Sequence, residues 1–286
     1  MQRRLIRNAV LLLSLVAIAG CGGIVSSAAS KFADDLGMAV LNQPDPEIVR
    51  DGAPSYLLLL DSLLEGSPDD PALLSAAADL YAAYGAVFAR DANRAAILTN
   101  RALNYAERSV CLTYEVGCDW PSITFDEFEA SLVDLEEEHL PYATSYAVAS
   151  LAYIRAHSDD WAALARLPHI EALLLKLEPF SEGVALGAVY NYLGILNTLR
   201  PPALGGQPEV GKDYFEKAIA LTEGKDLAIK VEYARGYARL LYEQELHDRL
   251  LNEVLNGDTE APGLTLTNTL AKRDAETLLS SGADYF

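Results

Sequence analysis

The chain has 286 residues, with 41 acidic against 22 basic side chains and a formal charge of −19. So large a negative charge argues against nucleic acid, whose binders need a basic stripe to displace counterions. Hydrophobic residues make up 51%, too many for a disordered acidic protein, and the 43 alanines and 47 leucines favour a mostly helical folded body.

Residues 1–20 stand apart from that body. Arg3, Arg4 and Arg7 make a basic start, and residues 9–19 form an apolar run, about half of the roughly 20 residues a spanning helix needs. Ile18-Ala19-Gly20-Cys21 follows, then Gly22 and Gly23. A basic start, a short apolar run and small residues before the cut read as a secretory signal. Ile-Ala-Gly-Cys resembles the bacterial lipobox, which implies that Cys21 is diacylated on sulfur and becomes the new N-terminus. An ordinary signal followed by a chance cysteine is the alternative. Cleavage removes three arginines and leaves a charge of −22. Gly22, rather than an acid, implies sorting to the outer membrane, facing the periplasm. Residues 21–30 are then the lipidated cysteine and a polar tether, and residues 31–286 one helical domain. No later stretch is apolar enough to span a membrane, since residues 40–60 are interrupted by Asp45, Glu47, Arg50 and Asp51. Membrane attachment is expected through lipid alone.

After the tether the apolar period is that of a helix almost everywhere. Asp69-Asp70-Pro71 is a start signal, and Leu74, Ala77, Tyr81 and Tyr84 recur at three- and four-residue steps. Residues 91–111 form the return helix. Cys111 and Cys118 are separated by six residues; in an oxidising compartment a disulfide is the first reading and two buried thiols the second. Trp120-Pro121 lies in a loop, and Thr124 caps a short helix expected to run to Leu135. Further helices are expected over residues 143–154, 161–177, 181–199, 209–222, 227–241, 245–255 and 264–279. They are broken by Glu178-Pro179, by Arg200-Pro201-Pro202 and by Gly224. No segment has strand alternation. The architecture is therefore all-α, an α-solenoid or bundle of degenerate tetratricopeptide-like hairpins, with Leu74-x2-Ala77-Ala78-x2-Tyr81 and Tyr190-x2-Leu193-Gly194 as its best repeat matches.

Several runs carry a family resemblance over roughly Asp45 to the C-terminus. They are Gly52-Ala-Pro-Ser-Tyr-Leu-Leu-Leu-Leu-Asp61; Tyr192-Leu193-Gly194 with Pro201-Pro202 and Gly205-Gly206; Tyr214-Phe215-Glu-Lys-Ala218-Ile219 with Gly224-Lys225-Asp226-Leu227; and Asn268-x2-Ala271 through Leu279. In this order, behind a lipobox, the sequence resembles the T component of tetratricopeptide-associated TRAP transporters, the TatT lipoproteins. His247 departs from the pattern, standing where an aromatic is expected before a Leu-Leu pair. The resemblance implies a periplasmic helper of an ion-driven importer. Such a helper associates with the substrate-binding P subunit, assists a hydrophobic or organic-acid ligand, and assembles as a homotrimer.

Stacked hairpins curve into a concave surface, and tyrosines offer such a surface an apolar face with a polar tip. Tyr81, Tyr84, Tyr190, Tyr192, Tyr233 and Tyr237, with Asn191, are the candidate ligand-lining residues; core bracing is the competing role for each tyrosine. No enzymatic chemistry is expected. Gly206-x4-Gly211-Lys212 lacks the hydroxyl that holds magnesium, because Asp213 stands there. His139, His157, His169 and His247 have no metal spacing, and no nucleophile elbow occurs. No cofactor or metal is called for. The acidic run at Asp134, Glu136, Glu137 and Glu138 reads as a solvated helix end. The alternative function is a tetratricopeptide-like outer-membrane lipoprotein scaffold for envelope assembly. A helical enzyme acting on envelope glycans or lipids would need a convergent acid–base pair that the sequence does not display.

Overall fold

Aspartates cap the first three helices. Asp45 accepts the amide of Glu47 at the head of α1 (Pro46–Gly66), and Asp70 accepts those of Ala72 and Leu73 at the head of α2 (Pro71–Val87). Asp91 does the same for α3 (Ala92–Thr113) through the amide of Arg94. Thr124 and Glu127 form a reciprocal capping box on α4 (Phe125–Ser131). Each such cap satisfies amides that have no partner inside the helix and contributes about 1 kcal/mol. The structure is a computed structural model that describes residues 37–199 and 202–286. The signal segment, Cys21 and the tether fall outside these residues.

The chain continues through α5 (Leu140–Ala156), the single turn α6 (Trp161–Leu164), α7 (Leu167–Leu177) and α8 (Gly183–Thr198). Then come α9 (Pro208–Leu221), α10 (Leu227–Tyr233), α11 (Gln244–Asn256), α12 (Thr265–Ser280) and the terminal turn α13 (Gly282–Tyr285). No strand occurs among the described residues, so the all-α class is the observed one. α2 with α3 and α8 with α9 are the two closest hairpins. Cys111, near the end of α3, and Cys118, in the 3-10 turn Glu115–Asp119, are joined as a disulfide.

Three elements differ from the sequence reading, each for a local reason. α4 stops at Ser131 rather than Leu135. The Ser131 carbonyl is taken by the Tyr114 hydroxyl, and its Oγ by the Trp120 indole at 2.9 Å, so the next turn loses its acceptor. The expected helix over residues 161–177 is two helices. Pro168 has no amide hydrogen to give the Leu164 carbonyl, so α7 begins afresh with proline in its first turn. The sequence reading placed no helix over α1. Its outward face carries Leu58, Leu59 and Leu63, all exposed, which blurs the apolar period, and Pro54 lies inside it.

Two main hydrophobic cores share the body. One spans α1 to α8 and includes Leu57, Leu74, Trp120, Tyr146, Leu173 and Leu193. The other joins α9 to α12 through Phe215, Ile229, Leu251 and Ala275. A third, small cluster of Val49, Ala53 and Leu266 packs α12 against α1, so the last long helix returns to the first. The hairpins therefore close on themselves instead of leaving an open concave array.

Candidate functional site

The candidate tyrosines are dispersed around the fold, and most are tied down by their hydroxyls. Tyr81, buried on α2, donates to Asp61 Oδ2 at 2.8 Å, while Tyr105 of α3 donates to the other oxygen of Asp61. The Arg101 guanidinium lies over both rings and bonds Asp61 at 3.0 Å. Burial and the hydrogen bond to Asp61 push the Tyr81 phenol well above its ordinary range. Tyr84 donates to the Arg50 carbonyl at 3.0 Å. Both tyrosines thus fasten α1 to the body.

Tyr190 donates to Glu178 at 3.1 Å, and the Lys217 ammonium sits over the rings of Tyr190 and Tyr214. That arrangement braces α8 against α9. Tyr233 and Tyr237 are buried in the second core, stacked or edge-on with Phe215 and with each other. Their hydroxyls donate to Glu216 at 3.3 Å and Glu209 at 3.0 Å. Burial raises both phenols, reinforced by these carboxylates and by Glu243.

Tyr192 and Asn191 occupy a different setting. Tyr192 lies on α8, which packs against α10. Burial raises its phenol first, and the negative charges of Asp79 from α2 and of Asp226 and Glu232 from α10 raise it further. The Asn191 Oδ1 is buried without a hydrogen-bond partner. Asp79 accepts from Ser145 at 2.9 Å, and Ser145 in turn meets Ser75 at 2.6 Å. The surrounding helices desolvate the Asp79 carboxyl and raise it to about 6, against the favourable bond from Ser145. An acid whose folded value is raised binds its proton more tightly when folded, so stability falls as pH rises from about 4 to about 6 and stays lower above that. Asp79→Asn is expected to flatten that fall and to raise the melting temperature at pH 7 above that of the unaltered protein; melting curves at half-unit pH steps between 3.5 and 7.5 test it. Sequence reading passed over Asp79 because a single acid in an otherwise apolar helix looks like part of the solvated face. Its signal was the serine one turn earlier.

A second concavity opens between α9, α10 and α11. It holds about 700 Å3, with Lys212 and Glu216 on one wall, Tyr233 at the back, and Tyr242, Glu245 and Arg249 on the other. Tyr242 enters it at φ +57°, a left-handed turn before α11. Three carboxylates face two cations here, a lining suited to polar contact with a partner rather than to acid–base chemistry. Among the described residues no cluster of histidine, cysteine and carboxylate side chains is placed to hold a metal. His247 is fully enclosed, its Nδ1 2.8 Å from Asp248 and its ring edge on Phe286. It fills as a core ring the place where an aromatic was expected.

A family model described as TRAP transporter T-component matches residues 42–286. No curated protein matches the chain.

Proposed function

We propose, on the premise that the chain belongs to the TRAP transporter T-component family, that it contacts the transporter's periplasmic substrate-binding P subunit while held at the membrane through Cys21. Membership makes it an accessory component of a TRAP transporter, associated with the cell envelope on the periplasmic side. The match over nearly the whole described body is the observation that carries the reading. No helix among the described residues is long and apolar enough to cross a membrane, so attachment, in this reading, rests on the acylated cysteine. Two chains or more are needed before such an anchor is stable, and diacylation would supply them.

The interior at Tyr192 is the proposed ligand surface. Of the two ligand classes implied by the family, a hydrophobic one fits better. An organic carboxylate would meet three acidic side chains there, Asp79, Asp226 and Glu232. Assembly as a homotrimer belongs to the same proposal.

Native mass spectrometry of the delipidated protein with the P subunit tests these points together. The expected result is a stoichiometric complex at micromolar concentration, together with the mass of the free oligomer and of any retained apolar ligand. Absence of any complex with the P subunit at tens of micromolar would overturn the partner assignment.

A further inference from the structure

The two main cores and the third cluster differ in how firmly they hold the array closed. α8 belongs to both sides of the molecule. Leu193 is fully buried in the first core, and one residue on, Gly194 lets the Phe215 ring of the second core approach so closely that a Cβ there would lie 2.7 Å from it. Parting the molecule along α8 would tear both cores. The seam between α1 and α12 is of another kind. Its fully buried apolar part is only Val49 and Ala53 against Leu266, with Val40, Tyr84, Phe88 and Leu270 half-buried around them. Its polar part is the Arg273–Glu47 ion pair at 3.1 Å, with both side chains about half exposed, and the amide of Gly263 on Asn42 Oδ1 at 2.7 Å. α1 has its own attachment to α2 and α3 through Tyr84 and the Asp61 cluster. α12 can therefore leave α1 without either helix leaving its own side.

We propose that the α1–α12 seam is the gate of the closed array: α12 parts from α1 as a local opening while both main cores stay packed. Sub-global openings of this sort arise where few buried apolar contacts and exposed polar links hold an interface. The opening gives an extended ligand lateral entry toward Tyr192 on α8. That consequence rests on the ligand reading above; the opening itself does not, and it is measured without ligand or partner.

Thiol labelling of the full-length protein under native conditions tests the gate. Ala53→Cys and Leu266→Cys place a thiol on either side of the seam, while Ala102→Cys and Ala275→Cys place one in each main core. Mass spectrometry of the peptides carrying the introduced cysteine separates their signal from Cys21, and Cys111 and Cys118 are already bonded. Both seam thiols are expected to react at least tenfold faster than both core thiols. Arg273→Glu should speed both seam thiols about threefold, the scale of an exposed ion pair lost and reversed. Glu47→Arg combined with Arg273→Glu should recover part of the difference, since Glu47→Arg also removes the pair Glu47 makes with Arg50. Seam thiols that react at the core rate overturn the proposal. So does a fast reaction that Arg273→Glu leaves unchanged, or that it changes on one side only.

Discussion

Trp120→Ala is expected to lower the unfolding free energy by about 4 kcal/mol, the range for removing a fully buried tryptophan. For a protein of this size that corresponds to a melting temperature roughly 8–16 °C lower. Trp120 is 1% exposed and is ringed by Tyr114, Phe128 and Tyr146 at centroid distances of 5.1 to 5.8 Å. Its indole donates to Ser131, and Arg166 ties the carbonyls of Trp120 and Pro121 to the Tyr146 hydroxyl. The segment between α3 and α4 has little helix of its own; the Cys111–Cys118 disulfide ties its start to α3, and this plug seats the rest in the first core. Alanine leaves a cavity that three rings held on different elements cannot fill together. Trp161, 84% exposed at the start of α6, is the control. Trp161→Ala should change stability by no more than about 0.5 kcal/mol. Denaturant titration of the two variants decides, and equal losses would remove the packing account.

Gly211→Val is expected to cost about 3 kcal/mol, the upper end for overpacking a close contact. A Cβ at Gly211 would lie 2.7 Å from Thr198 Cγ2 and 2.9 Å from the Gly194 carbonyl oxygen. The second of these atoms is backbone of α8, so no change of rotamer relieves it, and α8 and α9 must move apart. That separation would also pull Phe215 from the groove over Gly194. Gly52→Ala is the opposite case: the added methyl meets nothing within 4 Å. Inside α1 it should raise stability by about 0.5–1 kcal/mol, because glycine loses the most backbone freedom on entering a helix. Urea midpoints of the two variants should move in opposite directions. A Gly211→Val midpoint equal to that of the unaltered protein would mean that α8 and α9 do not pack as closely as described.

Local signals made much of the fold readable. The Asp70-Pro71 start and the Thr124 cap appear at the expected places, and the helix expected from Asp91 is capped by that residue, since a cap depends only on residues two or three positions away. The helical period of α2 and α12 was legible because each keeps an exposed face opposite its buried one. α1 was missed because its outer leucines remain exposed, so burial and period no longer coincide. The candidate site was less legible. Tyr81, Tyr84, Tyr190, Tyr233 and Tyr237 share the spacing of Tyr192, yet their hydroxyls end on Asp61, the Arg50 carbonyl, Glu178, Glu216 and Glu209. Those acceptors lie 12 to 34 residues away in the chain, beyond the reach of any periodicity argument. Lys212, Glu216 and Arg249 line one cleft but gave no sequence signal, since charged residues on helices are ordinarily solvated.

The sequence by itself determined the acidic charge that excludes nucleic acid, the all-helical class, the helix starts and the family. All of these follow from composition, from contacts a few residues apart, or from ordered runs of side chains. Only the tertiary structure decided that the hairpins close, that Trp120 in a predicted loop is a core plug, and that five of the six tyrosines spend their hydroxyls on acceptors from other parts of the chain. Each of those depends on groups brought together from distant parts of the chain. There, close packing and the need to satisfy every buried polar atom outweigh local preference.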